Sequence, residues 1–185
     1  VLSKPIHLLF ISTGSGQPTV SHPRVLVVAE AGAKAALVEE YVSLGGGNPW
    51  TNTVTEIFLN ENAKLDHYRL SRENEEAFHI SATNVGQGRG SVYTSHVVSL
   101  GGGLVRNDLA VALEAEGAEC ALNGLYMVKG RQHIDNHTLI DHAKPHTTSR
   151  ELYKGVLDGQ SRAVFNGAIL VRPDAQKINS VQSNK

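Results

Sequence analysis

The residues with the most chemical capacity lie between positions 133 and 146, where the chain reads HIDNHTLIDHAKPH. His133, Asp135, His137, Asp141, His142 and His146 supply imidazole and carboxylate groups, the donors that hold transition metals. If residues 133–139 form a strand, His133, Asp135 and His137 share one face, and Ile134, Asn136, Thr138 and Ile140 share the other. The apolar set marks the second face as inward, which leaves the first histidines on an outer face. His133, His137 and His142 are the candidate metal ligands. Two histidines at strand spacing are not in themselves a ligand signature. A solvated row of polar side chains, with an inward asparagine stacking along the fold, accounts for the same residues. There is no His-Glu-x-x-His motif and no histidine pair followed by a distant carboxylate.

The single cysteine, Cys120, is the other reactive candidate. It shares parity with Leu122, Tyr126 and Val128, so the expectation is burial in an apolar interior. To accept sulfur or ligate a metal it would need access and a lowered pKa. The remaining signals exclude more than they suggest. Neither Gly-Gly-Gly run is followed by Lys-Ser or Lys-Thr, so no phosphate-cradling loop is present. Gly86-x-Gly88-x-Gly90 lacks the strand–helix context of a dinucleotide site. There is no Gly-x-Ser-x-Gly elbow, and Ser95-His96 has no evident carboxylate partner.

The elements that must position these residues read as short strands. From Leu104 to Ala175 four apolar runs are ended in turn by Glu116-Gly117-Ala118, Lys129-Gly130-Arg131, Asp158-Gly159-Gln160 and Pro173-Asp174-Ala175. Runs this short, with no long connection between them, predict strands wound side by side. Leu109, Val111 and Leu113 alternate with Asp108, Ala110, Ala112 and Glu114, the period of a half-buried strand. Upstream, Pro5–Phe10, Arg24–Glu30, Thr53–Leu59, Lys64–Leu70, Ala77–Thr83 and Val92–Leu100 read as strands, and Ser12–Pro23 as a loop. Lys34–Ser43 and the stretch DLAVALEAEGAECAL are helical by residue propensity. Against that, similar turns at Glu30, Glu61 and Glu116 argue for one structural event repeated.

Two internal echoes support repetition. Val42-Ser43-Leu44-Gly45-Gly46-Gly47 returns 56 residues later as Val98-Ser99-Leu100-Gly101-Gly102-Gly103. Asn52–Ala63 loosely matches Asn107–Ala118 at an offset of 55, pairing Val54 with Leu109 and Ala63 with Ala118. Such an offset predicts two or three coils of a β-solenoid at roughly 20 residues per coil.

Composition narrows the class. The abundance of glycine (18 residues) and the sparse aromatics (5%) favour a fold with many turns over a helical bundle. A net charge of -1 removes the electrostatic case for nucleic acid or an anionic membrane. A lone cysteine cannot form an internal disulfide, which suits a reducing compartment such as the cytoplasm or plastid stroma. No apolar run approaches the span of a bilayer, and the start lacks a signal-peptide pattern. The chain opens without Met and stops on a polar run, so we read it as part of something longer.

The run His133–Arg150 (HIDNHTLIDHAKPHTTSR), followed by Gly159–Gly167 (GQSRAVFNG), resembles the SufB/SufD family of iron–sulfur cluster assembly proteins, and its SufD branch more closely. The motif residues are Asp135, His142, Ser149 and Arg150, and the likeness extends over essentially the whole chain. It implies an all-β fold, a right-handed parallel β-helix (β-solenoid), with residues 1–185 forming a single core domain. It further implies a non-catalytic scaffold subunit of the SUF machinery that pairs with SufB and the SufC ATPase and can also form homodimers. No cofactor is expected on these residues alone, the Fe–S cluster arising transiently in the complex. The family's N-terminal helical domain, its C-terminal cluster-forming segment and the helices that engage SufC fall outside residues 1–185. Cys120-x-Leu122-x-Gly124 resembles a strand of SufB whose cysteine is tied to sulfur acceptance, which keeps Cys120 a candidate. The rival reading is a metal-binding β-helix or cupin-like enzyme using His133, His137 and His142. A pectate-lyase-like β-helix would want clustered carboxylates for Ca²⁺ and an exposed aromatic groove, and neither is seen.

Overall fold

The computed structural model describes residues 1–14 and 17–185. Among them there is no helix; fourteen strands follow one another in the chain. They are β1 (Ile6–Thr13), β2 (Thr19–Ser21), β3 (Arg24–Ala29), β4 (Lys34–Leu44), β5 (Pro49–Leu59), β6 (Lys64–Arg72) and β7 (Phe78–Gln87). The second half holds β8 (Val92–Ser99), β9 (Leu104–Leu113), β10 (Glu119–Val128), β11 (His133–His142), β12 (Thr148–Leu157), β13 (Arg162–Val171) and β14 (Asn179–Asn184). The loop expected over 12–23 contains β2, and its Ser15 and Gly16 lie outside the described residues.

Every pairing is parallel, and the strands fall into two sheets. One runs β1-β4-β6-β8-β10-β12-β14; the other runs β13-β11-β9-β7-β5, with β2 and β3 both paired to β5. From β3 onward successive strands thus alternate between sheets, and the chain winds as a β-solenoid of about six turns. Lys34 pairs with Lys64, Lys64 with Val92, Val92 with Glu119, Glu119 with Thr148 and Thr148 with Asn179. A coil therefore takes 27 to 31 residues. The 20-residue coil expected from sequence is too short, because each coil holds two strands of about ten residues and two corners. The offset near 55 spans two coils.

The echoes differ in how well they match this register. Ala63 and Ala118 sit immediately before Lys64 and Glu119, two coils apart in one column. Val54 instead shares its column with Ala82 and Asp108, so pairing it with Leu109 slips one residue and crosses from the outer to the inner face.

One corner carries the repetition most clearly. Gly32, Asn62, Gly90, Gly117, His146 and Lys177 occur once per coil, and all have φ between 57° and 73°. This left-handed bend costs glycine little and asparagine less than most residues. The similar turns at Glu30, Glu61 and Glu116 are therefore the same corner. His146 belongs to it as well, and its amide donates to the Gln176 carbonyl at 3.0 Å.

The two helical-looking stretches are β4 and the β9–corner–β10 segment. Their alternate residues Leu37, Glu39 and Tyr41, and Leu109, Val111 and Leu113, all point into the coil. Backbone pairing to a strand on each side outweighs a helix preference of a few tenths of a kcal/mol per residue, as roughly estimated from alanine-rich scales.

Inside, Ile57, Leu65, Val85, Tyr93, Leu113, Leu122, Ile134 and Ile140 form a continuous apolar cluster. Two tyrosines fit only because their column neighbours lack side chains. Tyr153 lies over Gly124 in the previous coil, and Tyr126 lies over Gly155 in the next, so a Cβ at either glycine would overlap a ring.

Candidate functional site

The sequence-derived ligands do not assemble. β11 places His133, Asp135 and His137 on the outer face of the second sheet, as its alternation requires. There Asp135 is engaged from both sides: His137 Nε2 lies 2.9 Å from its Oδ1, and Arg106 Nη1 donates to Oδ2 at 2.7 Å. Arg106 also grips Asp108 through two bonds, Nε to Oδ2 at 2.9 Å and Nη2 to Oδ1 at 2.8 Å. A guanidinium therefore sits among the very groups that a metal would need.

His142 belongs elsewhere. β11 continues to residue 142, so parity turns this side chain inward, where it is fully buried. Its Nδ1 lies 2.7 Å from Thr147 Oγ1, and its Nε2 lies 3.0 Å from Ser149 Oγ. Burial holds the imidazole below its ordinary pKa, against the pull of Asp141. The expected trio of His133, His137 and His142 is thus divided between the two faces of a strand. No group of three or more His, Cys, Asp or Glu among the described residues is placed to hold a metal ion.

Cys120, the second residue of β10, points inward and is 4% exposed. Its column neighbours are Tyr93 in the previous coil and Ser149 in the next. Burial, aided by the Glu151 carboxylate, pushes the thiol up to about 12. In this state it is an unreactive thiol, since nucleophilicity and ligation both belong to the thiolate.

What sequence reasoning missed is a polar spine inside the coils from β4 to β8. Glu39 on β4, fully buried, accepts from Tyr41 Oη at 2.8 Å and from Thr55 Oγ1 at 3.0 Å. One coil on, His67 Nε2 lies 3.2 Å from Glu39 Oε1, and His67 Nδ1 lies 3.0 Å from Tyr93 Oη in the coil after that. Arg69 Nε lies 3.8 Å from Glu39 Oε2. The Arg69 guanidinium reaches Thr83 Oγ1 and His79 Nε2, both at 3.2 Å. His79 Nδ1 in turn meets Glu73 Oε2 at 2.7 Å, and Thr51 donates to the other Glu73 oxygen at 2.8 Å. The spine runs Thr51–Glu73–His79–Arg69–Glu39–His67–Tyr93, and its Glu73 end lines a cavity of about 410 Å³ between β1, β2 and β5.

Its electrostatics follow from those contacts. Burial alone would raise Glu39, but the bond to His67, the Arg69 charge and the Tyr41 hydroxyl outweigh it and bring the carboxyl down to about 2. Burial lowers His79 despite its bond to Glu73. Further along, Asn107 bridges Ser81 and Asn136 at 3.0 Å each. Glu151, 3% exposed, finds no partner of hydrogen-bonding geometry for either oxygen. Burial therefore raises its carboxyl, offset only in part by the Thr138 hydroxyl. Polar groups this deep act through position: they tie one coil to the next and specify which columns meet.

The fold and interior together define the class: a two-sheet parallel β-solenoid whose early coils are tied by a buried polar spine. The chain matches the family described as SUF system FeS cluster assembly, SufBD core domain, over residues 10–185, and it belongs to that family. It is 35% identical to an iron–sulfur cluster assembly SufBD family protein of Synechocystis sp., over all of this chain and 42% of that protein. It is likewise 35% identical to protein ABCI7, chloroplastic, of Arabidopsis thaliana, over 98% of this chain and 40% of the relative. The iron–sulfur cluster assembly protein SufD of Escherichia coli is 30% identical over 98% of this chain and 44% of its own length. The chain thus spans about two-fifths of the curated relatives it matches.

Proposed function

We propose that the protein is a non-catalytic scaffold subunit of the SUF iron–sulfur cluster assembly machinery, with residues 1–185 as its β-solenoid core domain. The observation that carries this reading is the family match across residues 10–185, on a solenoid that separates the candidate ligands His133 and His137 from the buried His142 and Cys120. The protein works by assembly and presentation, pairing with a SufB-like subunit and a SufC-like ATPase. The Fe–S cluster is the cargo of that complex and not a group resident on these residues. The working compartment is the cytoplasm, or the plastid stroma in a plant; no described helix is long and apolar enough to cross a membrane. Co-expression of the full-length protein with SufB-like and SufC-like partners tests the reading. Stable co-purification, with cluster formation that needs all three, is expected. A protein that purifies alone and binds stoichiometric Zn, Mn or Fe lost in His137→Ala would favour the metal-enzyme reading instead.

A further inference from the structure

Two shallow concavities, of about 260 and 370 Å³, lie side by side on the outer face of the second sheet and share Asn84, Ala110 and Leu139. Their floor is low because the outward positions of β7 and β9 carry Ala82, Gly86, Ala110 and Ala112. Their walls are the half-exposed Phe58 and Leu139. Glu56, Asp108, Glu114 and Asp141 line the trough, and among the described residues no lysine or arginine does. Arg106 pairs with Asp108 and Arg172 with Asp141, and among the described residues no Lys or Arg lies within ion-pair distance of Glu56 or Glu114, the Arg172 charge reaching Glu114 only at longer range. Over Gly86 the two kinds of wall converge. The position a Cβ would take there is 3.4 Å from both Glu114 Oε2 and Phe58 Cδ1. A carboxylate and an aromatic ring over a bare glycine together attract an ammonium or guanidinium group.

β7 and β9 are paired on both sides, so their backbone groups are used and an added strand has nothing to bond. A segment that satisfies its own backbone, a helix, can still lay an apolar face into the trough. We propose that this trough docks a basic, amphipathic helix of a partner polypeptide. A Lys or Arg enters between Glu114 and Phe58, and an aliphatic side chain packs on Leu139 and Ala110. The proposal extends the scaffold reading by naming a surface and the chemistry of what it receives.

The test uses the full-length protein and a fluorescein-labelled 18-residue Leu/Lys helix-forming peptide, with a Leu/Glu peptide of the same pattern as control. The Leu/Lys peptide binds and the Leu/Glu peptide does not. The double variant Glu56→Lys/Glu114→Lys weakens binding by about tenfold or more, the combined effect of two lost ion pairs and a lost cation–ring contact. Asp66→Lys, on the outer face of the first sheet, leaves it unchanged. Equal weakening by Asp66→Lys, or none by the double variant, overturns the proposal. A cysteine placed by Ala112→Cys, followed by mass spectrometry, labels quickly in the free full-length protein and is protected by the Leu/Lys peptide. Slow labelling before any peptide is added shows that the chain's own flanks or a second copy already fill the trough, and this also overturns it. Co-purification with the SUF partners is scored separately, so loss of the trough leaves the scaffold reading standing.

Discussion

Glu39 offers the sharpest test of the interior. Its carboxyl falls from an ordinary 4.5 to about 2 in the folded chain, which corresponds to about 3 kcal/mol of stability at neutral pH. The group is fully buried, so solvent screening does not reduce that figure. The sign is that of a carboxyl lowered on folding. The contribution is complete above the unfolded value of 4.5 and disappears as pH falls from there toward 2. The perturbation is Glu39→Gln, which keeps the shape and removes the charge. At pH 7 it also leaves Arg69 without its counter-charge and His67 without a carboxylate partner, and breaking a buried pair in this way costs about 3–5 kcal/mol. The assay is urea denaturation of wild type and variant at intervals from pH 7 to pH 2.5, read as the difference between the two curves. The buried His79, whose pKa is lowered, weakens both proteins on acidification, and somewhat more so the variant, because the Glu39 charge favours the protonated ring. Below about pH 5 the difference should shrink, by up to about 3 kcal/mol, as the wild type loses its ionised carboxylate. A difference that stays constant to pH 2.5, or that is absent at pH 7, would refute the ionised spine.

Other expectations are simpler to check. Gly124→Ala and Gly155→Ala each force a methyl into a tyrosine ring and should lose about 1–3 kcal/mol, seen as a lowered thermal midpoint; an unchanged midpoint would show that Tyr153 and Tyr126 lie elsewhere. Glu151→Gln should raise stability at neutral pH by about 1 kcal/mol or more, because an unpartnered buried acid becomes a neutral amide. The wild type should also lose stability as pH rises above 4.5, since this carboxyl is raised on folding; a destabilised Gln variant would contradict the reading. Cys120 should react with a thiol probe at neutral pH only as fast as the chain opens. Rapid labelling of the native protein would show that the thiol is accessible.

The outer position of His133 and His137 was legible because Ile134 and Ile140 mark the inward parity of β11. Placing His142 beside them relied on nearness in sequence, where the same parity, carried two residues further, turns it inward. The spine was illegible for a related reason. Reading a strand takes apolar residues as the mark of the inner face. In β4 and β6 the outward Val38, Val42, Tyr68 and Leu70 are as apolar as the inward Leu37 and Leu65. Alternation therefore gives no sign that Glu39, His67 and Arg69 face inward. Only the fixed positions of Leu37, Tyr41 and Leu65 within their columns decide it. Coil length was misjudged because corner residues vary in type. Gly32, Asn62, His146 and Lys177 share one backbone angle and no side-chain chemistry.

The lengthwise course of the spine has a consequence for how the chain is made. Glu39 leaves the ribosome well before Arg69 exists to neutralise it or His67 to bond it, and His67 must wait again for Tyr93. The winding that holds Glu39, if left without its successor, would trap a bare carboxylate in a dry interior, so it stays open to water until that successor is translated. The nascent protein therefore gains its shape in steps of two or more windings at once, and any pause in translation before residue 93 leaves it unsealed.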